Sequence, residues 1–332
     1  MRHLAFAAGV LAATSAVAET PILTVYTYDS FVADWGPGPA VEKAFEEGCG
    51  CDLQFVSAGD GAALLARLKL EGARTQADVV LGLDTNLTAA AAATGLFAEH
   101  GKTPVVDVPN PFGEAGAWTD THFLPYDWGY FAFVHDKEKL PNPPKSFEEL
   151  AKSDVSIVIQ DPRSSTPGLG LLLWVKTVHG DKAGEVWSAL ADNIVTVTPG
   201  WSEAYGLFLE GEADMVLSYT TSPAYHRIAE SDDGKAFAPF GRHYMQIEVA
   251  GKVAGTDQPE LADKFLDFML TDAFQSVIPT TNWMYPAMTP EAGLPEKFGS
   301  PLDPALALLA PAGEVGALRK QALDEWLSAL SK

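Results

Sequence analysis

Apolar residues fall in short unbroken runs along this chain, and each run is followed by a stretch with helical spacing. ILTVYTY (22–28), DLQFVSA (52–58) and ADVVLGLD (77–84) read as strands. Between them, PGPAVEKAFEEG (37–48) carries Val41, Ala44 and Phe45 on one stripe, with Gly48 as its stop. GAALLARLKLEG (61–72) puts Leu64, Leu65 and Leu68 on one helical face, and the alanine-rich run up to Phe97 predicts another helix. A second series follows LPYDWGYFAFVHDKEKL (124–140). In it, VSIVIQDP precedes TPGLGLLLWVKTVHG, NIVTVTP precedes GWSEAYGLFLEG, and ADMVLSYTT precedes SPAYHRIAE. YMQIEVAGKVAG then predicts a returning strand, QPELADKFLDFMLTDAFQSVI an amphipathic helix pair, and GEVGALRKQALDEWLSAL a last helix. Apolar strands alternating with helices belong in a parallel sheet covered on both faces. No flexible linker separates the two series. The pattern therefore predicts an α/β protein of two lobes, each a mainly parallel sheet flanked by helices, joined by strands that cross between them.

Length and composition agree. The chain has 332 residues, 47% apolar and 20% charged, which suits two globular domains and argues against disorder. MRHLAFAAGVLAATSAVAET has a basic start at Arg2 and His3, an apolar run from Leu4 and a small-residue exit at Ala16-Val17-Ala18. Residues 1–18 are expected to be a Sec-type signal peptide, cleaved before Glu19. No later run reaches the ~20 apolar residues of a membrane span. The mature chain is thus expected in a bacterial periplasm. Net charge is −22, and loss of Arg2 with the leader leaves 21 minus 44, or −23. Such a surface repels nucleic acid. Cys49 and Cys51 stand in EGCGCD. Two cysteines in an exported chain suggest a disulfide, although so short a ring would staple little, and free thiols are the alternative. With no histidine beside them they make a poor zinc site.

Three strand–helix junctions in the second series share one form: SSTPGLG (164–170), TVTPGWSEAYG (196–206) and SYTTSPAYH (218–226). A hydroxyl residue with proline just inside is a helix start. Any one of these is simply a good cap. Three together, at the carboxyl edge of a parallel sheet, would aim free N–H groups and positive dipole ends at a small oxyanion. The same edges are rich in rings: Tyr26, Tyr28, Phe31 and Trp35; Trp201 and Tyr205; Tyr219 and Tyr225; Trp283 and Tyr285. Flat, cationic ligands stack on such faces. Asp29, Asp60 and Asp84 end strands or precede helices, where each is either a cap or a ligand contact. There is no G-x-S-x-G, H-E-x-x-H or Walker lysine, so binding is expected and catalysis is not.

Read as a set, LTVYTYDSF, DVVLGLD, QDPRSSTPGLGLLLW, GWSEAYGLFL, LSYTTSPAY and NWMYP resemble the periplasmic thiamine-binding proteins of bacterial ABC importers. The paired cysteines are similar to that family's as well. The resemblance implies a type II periplasmic binding fold and a cleft for thiamine, thiamine monophosphate and thiamine pyrophosphate. It also implies a membrane permease with its ATPase as partner, a monomeric state, and no cofactor. The family's ligand positions fall on Asp60, Gly61, Ser165, Thr166, Trp201, Tyr219, Thr220, Thr221 and Ser222, and Tyr28, Trp35, Tyr225, Asn282 and Trp283 are expected in the same cleft. Ser165 and Thr166 would help to hold phosphate, and Tyr225 and Trp283 would stack. The lobes are expected at 19–125 plus 242–290 and at 126–241 plus 291–332. Two alternatives stand beside this one: ferric iron or another small anion bound by the same fold, and a thiaminase-like enzyme using a cysteine.

Overall fold

The computed structural model describes residues 20–109 and 118–331, so the expected signal peptide lies outside the described residues. Strands β1 (Ile22–Thr27), β2 (Asp52–Ser57), β3 (Val79–Asp84), β4 (Phe123–Asp136), β5 (Ile157–Gln160), β6 (Ile194–Thr198), β7 (Met215–Tyr219), β8 (Lys235–Phe237) and β9 (His243–Lys252) make one continuous path. Its order is β2-β1-β3-β9-β4-β7-β5-β6, with β8 on the flank of β4. β2, β1 and β3 run parallel, as do β7, β5 and β6. The two triplets are joined by β9 and β4, which run antiparallel to each other and to their neighbours.

β4 explains the two-lobe shape. Fourteen residues at about 3.3 Å each reach about 46 Å, enough to pass through both halves. Its first half, from Phe123 to Tyr130, pairs with β9, and its second, from Phe131 to His135, pairs with β7. Every residue but the last is buried, so FLPYDWGYFAFVHD reads as an apolar run rather than an alternating one.

The helices are α1 (Gly38–Cys49), α2 (Gly61–Glu71), α3 (Thr166–His179), α4 (Ala183–Leu190), α5 (Trp201–Glu210), α6 (Ser222–Ala229), α7 (Pro259–Met269) and α8 (Ala312–Leu330). Shorter turns lie between them. α3 is buried on every side from Thr166 to Lys176, because sheet lies under it and α4 and α8 pack over it. Its one buried cation, Lys176, is paired with Glu325 at 2.8 Å.

Two sequence expectations are corrected here. The first helix does not stop at Gly48 but runs on to Cys49, and Gly50 takes the left-handed conformation (φ 66°) that ends it. The alanine-rich run forms only one short helix, Thr88–Ala92, before Thr94 and Gly95 turn the chain. Its residues are small and offer little surface to bury, so propensity alone does not extend it. The cysteine alternative is settled: Cys49 and Cys51 are bonded, with Cα atoms 5.2 Å apart. They join the end of α1 to the start of β2, at the opposite edge of the triplet from the helix starts that follow the strands.

Candidate functional site

The carboxyl ends of the two triplets face one another across a cleft of about 740 Å³. One wall carries Tyr28, Trp35 and Asp60. The other carries Ser164, Trp201, Ser202, Tyr205, Ser222 and Tyr225. Gln246 and Glu248, from the joining strand β9, line it with Tyr219 at the end of β7 and with Asn282, Trp283 and Met284.

The rings are ordered by contact with each other. Trp201 stacks on Tyr205 with centroids 4.9 Å apart, and Trp35 reaches it from the opposite half at 6.1 Å. Tyr225 meets Trp283 edge to face at 5.3 Å. The hydroxyl run of SYTTS holds part of this wall. Ser218 Oγ accepts from Trp201 Nε1 at 2.8 Å and shares a hydrogen bond with Ser222 Oγ at 2.7 Å, and Ser222 Oγ also accepts from Tyr219 N. Those hydroxyls orient a tryptophan.

Of the fourteen expected ligand positions, nine line the cleft: Tyr28, Trp35, Asp60, Trp201, Tyr219, Ser222, Tyr225, Asn282 and Trp283. Gly61, Ser165, Thr166, Thr220 and Thr221 lie behind its surface, all buried. Thr221 Oγ1 points at Met284 Sδ, and Thr220 N donates to Tyr130.

Asp60 explains why Gly61, Ser165 and Thr166 sit where they do. It caps α2, accepting from Gly61 N at 2.7 Å, and takes a hydrogen bond from Ser165 Oγ, the cap of α3, also at 2.7 Å. The helix starts of the two halves are pressed together here. Ala63 N donates to Ser164 O at 3.0 Å, and any Cβ on Gly61 would collide with Thr166 Oγ1 and the Gly82 carbonyl. The anion between these two helix tips is therefore the protein's own carboxylate. Burial raises its pKa, and the hydrogen bonds from Ser165, Gly61 and Thr166 work against that rise.

The same rings do not all serve the cleft. Tyr26, Phe31 and Tyr285, which also follow or flank strand ends, are buried in the core, Tyr285 against Trp128 at 4.7 Å. Asp84 is a buried partner of Asn86 at 2.6 Å. Asp29 lines the cleft mouth while bonding Ser57 and Gly59.

Sequence reasoning missed the floor. Glu248 accepts from Tyr126 at 2.7 Å and from Tyr28 at 3.0 Å. Its cross-strand neighbours in register are Asp127 on β4 and Asp84 on β3, so three carboxylates stand at one level of three adjacent strands. Burial holds Glu248 and Asp84 each up at about 7, and Asp127 is raised as well, by burial and then by the charge of Glu248. The signal was present in YMQIEVAGKV: Gln246 and Glu248 are polar at alternate positions of an otherwise apolar strand. The charged residues lining the cleft, Asp29, Asp60, Glu203 and Glu248, are all acidic.

Comparison with known proteins fits this geometry. Residues 34–276 match the sequence profile of the family described as bacterial extracellular solute-binding protein. The chain belongs to that family. Among relatives of this solute-binding protein, the thiamine-binding periplasmic protein of Escherichia coli (strain K12) is 54% identical over 327 residues, 97% of this chain and 98% of the relative. The thiamine-binding periplasmic protein of Brucella abortus biovar 1 is 54% identical over 314 residues, 93% of this chain and 92% of its own. A solved periplasmic thiamin binding protein superposes with a TM-score of 0.90 at 53% identity, covering 98% of this chain and 100% of its own. The ferric binding protein from Campylobacter jejuni superposes at 0.71 with 18% identity, covering 92% of this chain and 99% of its own, a likeness of fold alone. This solute-binding protein thus has the type II periplasmic binding fold that the resemblance implied.

Proposed function

We propose that this periplasmic protein is the substrate-binding component of an ABC importer, taking thiamine into the cleft between its lobes and delivering it to a membrane permease driven by a separate ATPase. The supporting observation is the charge of the cleft: aromatic walls around a lining whose charged members, among the described residues, are all carboxylates, which suits a flat cation. The proposed lobes are 19–125 plus 242–290 and 126–241 plus 291–332, with β4 passing from one to the other. Thiamine monophosphate and pyrophosphate enter the same cleft, with their phosphates against neutral donors. The candidates are the N–H groups and Ser202 hydroxyl at the start of α5.

Titration calorimetry with the three thiamine forms tests the reading. A folded protein that takes up none of them ends it. Ser202→Ala is expected to weaken the phosphate esters about ten- to a hundredfold and free thiamine hardly at all, the size of one hydrogen bond to a charged group. Ser165→Ala should weaken all forms alike, because its hydroxyl serves Asp60. The opposite pattern moves the phosphate to the Asp60–Ser165 junction.

The competing readings have less to work with. Ferric iron needs tyrosinates, whereas the hydroxyls of Tyr28, Tyr219 and Tyr225 donate to Glu248, Gln246 and Glu230. Burial also raises the Tyr28 and Tyr219 phenols. Protein loaded with ferric salt is expected to stay colourless. A cysteine enzyme needs a thiolate, and the pair at 49 and 51 is a disulfide at the far edge of its sheet.

A further inference from the structure

β9 presents two polar side chains to the cleft, two residues apart and so on one face of the strand: Gln246, 1% exposed, and Glu248, 5% exposed. Gln246 is half satisfied. Its Oε1 accepts from Tyr219 at 2.7 Å, which orients the amide, and its buried Nε2 has no acceptor among the described residues. A buried N–H without a partner is costly unless something else supplies the acceptor. Glu248 is an acceptor whose Oε2 takes two phenol hydrogens while the residue lines the cleft. Asp127, held by Asn282 at 2.5 Å, backs it from the next strand.

We propose that Gln246 and Glu248 are the specificity-determining pair of the cleft, reading an amino-substituted nitrogen heterocycle: Glu248 accepts from the exocyclic amino group, and Gln246 Nε2 donates to an acceptor nitrogen of the same ligand. This rests on the thiamine reading and names the part of the ligand recognised at the floor. The aminopyrimidine ring of thiamine offers one such donor and such an acceptor. The aromatic walls supply stacking that any flat ring would enjoy; only the floor distinguishes one heterocycle from another. An acceptor facing a ligand that lacks the amino hydrogen is left unpaired, and that penalty gives the discrimination.

The groups facing Glu248 from every side are Tyr28 after β1, Asp84 on β3, Tyr126 and Asp127 on β4, Tyr219 on β7, and Asp60 at the start of α2. None is a cation. Burial raises Glu248 to about 7, so it is partly protonated at neutral pH. Protonation removes the charge and turns one carboxyl oxygen into a donor, which weakens Glu248 as an acceptor for the amino group. Affinity for thiamine is therefore expected to fall as pH drops from 8 to 6.

The experiment is calorimetric titration of the full mature protein with thiamine and with oxythiamine, whose pyrimidine carries an oxo group in place of the amino group. Wild-type protein at pH 8 is expected to bind thiamine at least tenfold more tightly than oxythiamine, with the gap narrowing at pH 6. Glu248→Gln should lose at least tenfold on thiamine, hold oxythiamine within about twofold, and show no pH dependence of the gap. A thermal melt confirms that the variant is folded, and the wild-type comparison needs no variant. Equal affinity of wild-type protein for both ligands overturns the proposal, as does an equal loss on both in Glu248→Gln. A wild-type protein that binds neither ligand instead defeats the thiamine reading itself.

Discussion

Trp283→Ala is expected to weaken thiamine binding about 100-fold, close to 3 kcal/mol. The ring is only half-buried, and it stands edge to face with Tyr225 at the cleft wall. A planar cation between such rings gains apolar burial from both and up to about 2 kcal/mol of cation–π attraction from a well-placed face. Removing one ring removes its face and loosens the other. The backbone makes the prediction sharper. Trp283 has φ 57°, a left-handed conformation that costs a side-chain-bearing residue about 1–2 kcal/mol. The bond from Trp283 N to Ile278 O at 3.0 Å helps to hold it there, and so aims the indole at the cleft. Trp283→Gly should therefore lose binding as fully as Trp283→Ala while being more stable than it by about 1 kcal/mol. Calorimetry gives the first quantity and urea melts the second. Thiamine affinity within threefold of wild type in Trp283→Ala would remove the indole from the binding wall.

Glu248→Gln, harmful to binding, is expected to stabilise the empty protein at alkaline pH by about 1–3 kcal/mol and to leave it nearly unchanged at pH 5. Burial carries the carboxyl from its usual value near 4.5 up to about 7 in the fold. A carboxyl whose pKa is raised by folding binds its proton more tightly when native. Its contribution to stability is complete below about 4.5 and is lost as pH rises through 7. Asp84, also raised to about 7, and Asp127 act in the same direction. The wild-type empty protein should thus lose stability between pH 5 and pH 8, at ~1.4 kcal/mol per pH unit for each fully affected group. Glutamine keeps an acceptor for the Tyr28 and Tyr126 hydroxyls but cannot ionise, so the variant's profile over this window should be shallower. Urea melts at pH 5, 6.5 and 8 measure the slope. Parallel wild-type and variant profiles would mean that Glu248 is already ionised in the fold. Carboxylates crowded at one level of three strands reduce stability.

Most of the secondary structure was legible because its signals are local. A proline behind a serine or threonine marks a helix start wherever it occurs, and apolar runs of four to eight residues mark buried strands. The misses have local look-alikes. Gly48 and Gly50 are both glycines near the end of the same helix, and only the course of the chain into β2 selects the second. Tyr26 and Tyr28 belong to one strand run, yet Tyr26 packs in the core beneath Arg67 while Tyr28 turns to the cleft. Trp283 and Tyr285 part in the same way, Tyr285 being packed against Trp128. Gln246 and Glu248 were visible as polar interruptions of an apolar strand, but a strand pattern does not say what lies over its face.

The chain's own residue order determined the lobed α/β plan, the helix starts, the acidic character and the supply of rings, since each depends on neighbours a few positions away. Only the tertiary structure decided that the anion between the α2 and α3 starts is Asp60, that Ser165 serves it from 105 residues away, and that three acids from separate strands share one buried level. Such pairings depend on which surfaces the crossing strands β4 and β9 bring together, and dielectric burial, which sets the acids' protonation, exists only once those surfaces have closed.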